Sequence, residues 1–154
     1  MMNLFQITGD IYMVNSINKG KTFERDIANL LTKVMGIKFH RVPMSGAFST
    51  NNNSNDPRFD GDIFTEDVKY KDIVIECKSY ASLEVNDLFN KKSKFFGWIE
   101  QAKTESKGKD WILFIKIKNK GIFMVNSRLT EIAIRLIDLN KKIVVDKMVL
   151  YKIK

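Results

Sequence analysis

The sequence is poor in the residues on which many functional sites depend. Its 154 residues include one cysteine, Cys77, and one histidine, His40. One cysteine excludes an intrachain disulfide framework, and the two residues together are too few for a zinc site of the His/Cys type. Neither a P-loop nor a GxGxxG pattern occurs, so we expect no nucleotide cofactor. Carboxylates and lysines remain as the candidates for chemistry.

Long hydrophobic runs are also absent. No run approaches the roughly 18 apolar residues that a membrane-spanning helix needs. Residues 1–20 lack the basic start and apolar stretch of a secretory signal. We therefore expect a cytoplasmic protein, in the host cytoplasm if the source is viral, with no membrane partner. A chain of this length buries roughly 70% of its unfolded surface, which suffices for one domain without disulfides.

Basic residues outnumber acidic ones. The 26 Lys and Arg against 18 Asp and Glu give a formal net charge of +8, spread along the whole chain. A folded basic domain often binds a polyanion such as nucleic acid, although such a charge also keeps many proteins soluble. Small size and a composition rich in Lys and Asn would suit a virus or an AT-rich genome.

Hydrophobic periodicity predicts one mixed α/β domain over residues 20–154, preceded by an N-terminal arm or short strand over residues 1–19. The predicted helices cover about 20–35, about 84–107 and a segment that begins after an N-cap at Ser127. The predicted strands are 37–43, 60–65, 72–78, 111–118, 121–126 and 143–153, and residues 45–59 are too polar for anything but a loop. The second and third of these strands form a predicted β-hairpin.

The most informative segment is Ile73–Lys78, an apolar strand that ends in an acid and a base. Strand side chains alternate, so Glu76 and Lys78 lie on one face and Cys77 on the other. If the hairpin is centred on Lys69, Asp62 stands directly opposite Glu76. Two facing carboxylates repel each other unless a positive charge lies between them, and oxygen ligands favour Mg²⁺, for which Mn²⁺ can substitute. The chemistry predicted from this cluster is metal-assisted hydrolysis of a phosphodiester, with Lys78 holding water or neutralising developing charge. Taken singly, each residue could also belong to a solvated strand end.

These residues resemble the PD-(D/E)XK nuclease superfamily, through Asp62 and then Glu76-Cys77-Lys78. The segment Lys19–Asp26 is similar to the first helix of the archaeal-type Holliday junction resolvases, in which a Lys-Gly-x-x-Phe-Glu run supplies one more acid. The segment Arg41–Gly46 resembles the strand of that group that ends in a Ser-Gly pair. The resemblance covers about residues 19–118. Gly61 stands where the superfamily name has proline, and the loop over 51–57 and the arm before Lys19 are additional.

The resemblance implies a restriction-endonuclease-like core, with a central mixed sheet of about five strands flanked by helices. It also implies that Glu24, Asp62 and Glu76 bind metal, that these three and Lys78 are catalytic, and that Ser45 lies near the scissile phosphate. Glu24 has a second explanation, because the helix dipole favours an acid in a first helical turn.

Several further residues are candidates for DNA contact. They are Lys21, Arg41, Ser45, Arg58, Lys91 and Lys94. A lysine-rich helix face can equally be solvated, and the spacing of Phe95, Phe96 and Trp98 favours the core or a dimer interface over base stacking. Gln101 lies on the same predicted helix, where related nucleases often direct a polar residue toward the site.

The leading functional hypothesis is a Mg²⁺-dependent endonuclease that resolves four-way DNA junctions by paired symmetric nicks, as a homodimer because each subunit holds one site. Two alternatives stay open. One is another PD-(D/E)XK DNA nuclease, of the restriction or end-processing type, and the other is a non-catalytic DNA-binding domain of the same fold.

Overall fold

The computed structural model describes residues 4–43, 59–80, 82–145 and 148–153, with backbone alone at residues 4–17, 139 and 145. The α-helices are α1 (Leu4–Met35), α2 (Lys94–Ser106) and α3 (Glu131–Leu136), and a 3₁₀-helix covers Val85–Leu88. The strands are β1 (His40–Arg41), β2 (Ile63–Phe64), β3 (Val74–Tyr80), β4 (Trp111–Ile117), β5 (Gly121–Asn126), β6 (Ile137–Val145) and β7 (Met148–Ile153). None of the helices in these ranges is long and apolar enough to cross a membrane.

The described strands form one mixed sheet in the order β1-β2-β3-β4-β5-β7-β6. β3 and β4 are parallel, whereas the other neighbouring strands are antiparallel. Parallel neighbours need a long crossover connection, which the 3₁₀-helix and α2 supply. The predicted α/β class and restriction-endonuclease-like core are confirmed, and the sheet has seven strands.

Two hydrophobic layers hold the helices against the sheet. On one face, α1 buries Phe23, Ile27 and Leu31 against β3 and β4, and α3 extends the same layer. On the other face, α2 buries Phe95 and Ile99 against the opposite side chains of the same strands. The sheet is therefore covered on both faces at β3 and β4, which explains why the β4 segment from Trp111 to Ile115 is buried at every position.

The structure differs from the sequence prediction at several boundaries. Helix α1 begins at Leu4, so residues 4–19 are helical where we expected an extended arm or short strand. Apolar residues do recur there at helical spacing, at Leu4, Ile7, Ile11 and Val14. Gly9 nevertheless counted against a helix in the prediction, because glycine disfavours a helix interior. Whether residues 1–19 act as a separate arm stays a prediction.

Two further boundaries were wrong because a cap or turn lay elsewhere. The predicted helix over 84–107 is split, and α2 begins after Ser93 at its N-cap. Helix α3 begins four residues later than Ser127, with Thr130 as the N-cap that accepts a hydrogen bond from the Ala133 N–H. The Ser127 hydroxyl instead accepts from the Trp111 N–H at 3.1 Å. The predicted strand over 143–153 is the antiparallel pair of β6 and β7.

Candidate active site

The β2–β3 hairpin has the register that brings the two predicted carboxylates together. Ile63 pairs with Ile75, which is the register expected for a hairpin centred on Lys69. This register brings Asp62 close enough to β3 for its charge to act on the Glu76 carboxyl. The Asp62 N–H donates to the Ile75 carbonyl at 2.8 Å, which extends the pairing to this position. Gly61 makes the approach possible, because a Cβ atom there would lie 2.7 Å from the Ile75 oxygen.

Asp62 is fixed by the backbone of β3. Its Oδ2 atom accepts a hydrogen bond from the Cys77 N–H at 2.9 Å. The Cys77 side chain turns away from Glu76, into the layer beneath α1. Burial raises the pKa of the Cys77 thiol well above its usual value, and the nearby carboxylates of Asp62 and Glu24 raise it further. Cys77 therefore contributes its backbone to the site, and its thiol stays protonated.

Glu76 is the most perturbed carboxyl group of the site. It is 3% exposed. Burial, followed by the charge of Asp62 and a hydrogen bond with the Glu105 side chain, raises the pKa of Glu76 to about 10. Glu76 is therefore protonated at neutral pH when no additional cation is near it, and a cation placed between Asp62 and Glu76 would favour its ionised form.

Lys78 lies two residues further along β3 on the same face as Glu76. Its Nζ atom is 3.8 Å from the Glu76 Oε2 atom, and its side chain is 24% exposed. The ammonium group thus touches the buried acid on one side and is open to a substrate on the other. The side chains of Glu76, Cys77 and Lys78 therefore alternate between the two faces of the sheet, as predicted.

Glu105 is a member of this cluster that sequence reasoning missed. It lies on α2, accepts a hydrogen bond from the Gln101 amide at 2.8 Å and is itself hydrogen-bonded to Glu76. Gln101 is exposed and donates to Glu105, and whether it reaches toward the site as in related nucleases stays a prediction. The spacing of four residues, one helical turn, was the available signal, but only the packing of α2 on β3 shows which of its acids faces Glu76.

Glu24 approaches the cluster from the other face of the sheet. It lies on α1, and its Oε2 atom is 3.6 Å from the Arg41 Nη1 atom. Its charge acts on Cys77, as described above. The sequence-predicted acid of the first helix is therefore near the motif, on the α1 side of β3.

Comparison with known protein families supports the same interpretation. Residues 15–154 match the model of a family described as "Phage putative PDDEXK endonuclease". The chain belongs to this family. The match includes Glu24, Asp62, Glu76 and Lys78, so the superfamily expected from these residues is confirmed. No curated protein and no solved structure matches the chain significantly.

Members of the PD-(D/E)XK superfamily use divalent metal ions, and the donors present here fit one. Within the described ranges, no three His, Cys, Asp or Glu side chains are placed so that they could hold an ion together. Mg²⁺, however, commonly binds through one or two carboxylates, with waters and substrate phosphates as its other ligands. Asp62 and Glu76 would supply such a pair of carboxylates. Their role as ligands, the identity of the ion and the role of Glu24 as a third ligand stay predictions.

Among the residues predicted to contact DNA, those that the structure describes lie on separate elements. Lys21, Lys91 and Lys94 are exposed on or beside α1 and α2, and Arg41 is half-buried beside Glu24. Ser45 and Arg58, together with most of the predicted loop over 45–59, lie outside the described residues. Their proximity to the site therefore stays a prediction.

Proposed function

We propose that the protein is a divalent-metal-dependent endodeoxyribonuclease in which Asp62 and Glu76 bind the metal ion and Lys78 contacts the scissile phosphate or the attacking water. The observation that carries this proposal is that the β2–β3 hairpin brings Asp62 onto β3, where its charge acts on Glu76, with Lys78 beside Glu76 on the same face. Membership in a PD-(D/E)XK endonuclease family supports it.

Each side chain has a role that follows from its surroundings. Asp62 is held by the Cys77 N–H, so its second oxygen can face a ligand without loss of side-chain order. Glu76 is buried and becomes a strong ligand once a cation favours its carboxylate form. When bound, the ion polarises the scissile phosphate and lowers the pKa of a coordinated water.

Lys78 supplies positive charge at the open side of the site. Phosphodiester hydrolysis builds negative charge on the phosphoryl oxygens, and a fixed ammonium group beside them lowers that barrier. Its contact with Glu76 orients the group, because a flexible lysine side chain would otherwise sample many rotamers. Glu105, which accepts a hydrogen bond from Gln101, holds the Glu76 carboxyl from the α2 side.

For the substrate we propose branched DNA, and specifically four-way junctions cut by paired symmetric nicks in a homodimer. This proposal is supported by the resemblance of residues 19–26 and 41–46 to the archaeal-type Holliday junction resolvases, and by the net charge of +8. Mg²⁺ is the proposed ion and Mn²⁺ its substitute, since both accept oxygen ligands. Glu24 is proposed as the third acid of the site, and Lys21, Arg41, Ser45, Arg58, Lys91 and Lys94 as contacts to DNA.

The test is cleavage of a labelled immobile four-way junction beside a linear duplex of the same sequence, with Mg²⁺ and with chelator. We expect paired nicks in the junction that disappear with chelator or in Lys78→Ala. Lys142→Ala, an exposed lysine on the far edge strand β6, is the matched control and should cut like the wild type. Equal cutting of the duplex would assign the enzyme to the restriction or end-processing type. Binding without cutting in any metal would refute the nuclease assignment.

A further inference from the structure

The column of side chains that carries Glu76 and Lys78 continues beyond them. Tyr80 is the next residue of β3 on the same face, because strand side chains alternate. It meets Trp98 of α2 in an edge-to-face contact, with ring centroids 5.1 Å apart and planes at 75°. Both rings are half-buried, so each is held in place and still reaches the surface.

A cation completes this group. The Lys94 Nζ atom lies 5.8 Å from the centroid of the Tyr80 ring, while its side chain is exposed. Among the neighbouring aromatic residues of α2, Phe95 is fully buried, whereas Phe96 and Trp98 are both half-buried against the same layer. Trp98 is the one that meets Tyr80, so Tyr80, Trp98 and Lys94 form one contiguous group between α2 and the end of β3.

We propose that Tyr80, Trp98 and Lys94 form a subsite for an unstacked nucleobase and its phosphate, close to the scissile bond. This inference rests on the proposed nuclease function and specifies what the substrate must offer. Two residues of a strand span about 7 Å, so the subsite lies about that far from Lys78. Stacked nucleotides in a DNA strand rise about 3.4 Å each and unstacked ones are spaced further apart, which places the bound base one or two nucleotides from the cut.

The subsite selects a class of DNA. Aromatic side chains bind bases through their faces, and this stacking tolerates any base identity. In an intact duplex those faces are already covered by neighbouring base pairs, whereas bases at a branch point or a frayed end can leave the stack. The aromatic pair would therefore favour branched or locally melted DNA over continuous duplex, without reading a sequence.

The experiment is a scan in which one base at a time is removed from a labelled four-way junction. Affinity is measured by fluorescence anisotropy in chelator, and cleavage is measured separately in Mg²⁺. The wild type should lose about tenfold in affinity when the missing base is one or two nucleotides from the cut, and little at other positions. Trp98→Leu and Tyr80→Leu should bind the intact junction about tenfold more weakly and show no further loss at that position.

Matched variants separate a subsite from a packing role. Phe89→Leu removes another exposed aromatic ring, beyond the 3₁₀-helix, and should leave the scan unchanged. Tyr80→Phe and Trp98→Phe keep an aromatic face and should retain the positional loss even if the leucine variants are unstable. Lys94→Ala should weaken binding to every substrate and reduce its dependence on salt, whereas Lys142→Ala should not.

The outcomes distinguish this inference from the proposed function. The subsite is refuted, and the nuclease stands, if the wild type cuts junctions but its affinity does not depend on which base is missing. The same conclusion follows if the leucine variants bind more weakly than the wild type by the same factor whichever base is missing. If the wild type does not cut at all, the nuclease proposal fails, and the affinity scan alone still decides whether a base-binding subsite exists.

Discussion

Substitution of the buried acid should make the protein more stable, and the gain can be estimated from the pKa of Glu76. The folded-state pKa is raised from 4.5 to about 10, so in the absence of metal the chain must take up a proton when it folds near neutral pH. The stability contributed by this group is fully present below pH 4.5 and is lost as the pH rises toward about 10. Glu76→Gln keeps the shape and a hydrogen-bonding amide but needs no proton.

The expected gain at pH 7 depends on the solution pH and the unfolded-state pKa, and hardly on how far above 7 the folded-state pKa lies. Each pH unit above 4.5 costs the wild type about 1.4 kcal/mol, so Glu76→Gln should gain about 3 kcal/mol at pH 7 in chelator. For a chain of this size that corresponds to roughly 6–12 °C in Tm. Relaxation around the site would reduce the figure, so it is an upper value.

The assay is thermal or denaturant unfolding of both proteins between pH 5 and pH 9. The advantage of Glu76→Gln should grow with pH at up to about 1.4 kcal/mol per unit and should vanish near pH 4.5. Glu100→Gln, an exposed acid on α2, is the control and should stay within about 0.5 kcal/mol of the wild type. Equal stability of Glu76→Gln and wild type across this range would show that Glu76 is ionised in the fold, and the reasoning would be wrong.

Three further predictions address Lys78, the close approach of β2 and β3, and the hydrogen bonds of Glu131 on α3. Lys78→Ala should lower the cleavage rate by roughly 10²–10³ while junction affinity measured in chelator changes little, and a parallel loss of affinity would count against a catalytic role. Gly61→Ala should lower Tm and abolish metal-dependent cutting, because its Cβ would meet the Ile75 carbonyl at 2.7 Å and force the two strands apart; normal unfolding would contradict this. Hydrogen bonds from Lys69 and Tyr70 hold the pKa of Glu131 at about 2, so the stability it contributes is present above its ordinary pKa of 4.5 and is lost as the pH falls toward 2. Glu131→Gln should accordingly be less stable than wild type at pH 7 and equal to it near pH 2 in chemical unfolding, and a deficit that persists at pH 2 would exclude the linkage.

The local features of the fold were predictable because they depend on short-range physics. The alternation along Ile73–Lys78 and the centre of the hairpin at Lys69 were sufficient to pair Asp62 with Glu76, and the structure has that register. Gly61 departs from the superfamily name, and its position over Ile75 explains the departure, because any side chain there would meet the Ile75 backbone.

Features that depend on tertiary packing could not be predicted in the same way. Glu105 is one of two acids on α2, the other being Glu100, and only the rotation of that helix against β3 selects Glu105 as the partner of Glu76. The cap of α3 was misplaced because Ser127 and Thr130 are both good N-cap residues, and the contact of Ser127 with β4 decides between them. Helix and capping propensities do not indicate which acid of α2 meets Glu76, nor which of the two residues caps α3.

The alternation of side chains along β3 also determines what a register error during folding would do to this protein. Odd positions, Ile75 and Cys77, fill the layer beneath α1, while the even positions Glu76, Lys78 and Tyr80 face α2. A slip of one residue in strand pairing would exchange the two sets, burying Lys78 in the core and turning Cys77 to the substrate. Such a misfolded form would lose both the packing of its hydrophobic core and the arrangement of the proposed site residues at once. A population of molecules should therefore divide into active and unfolded chains, without a partly active species between them.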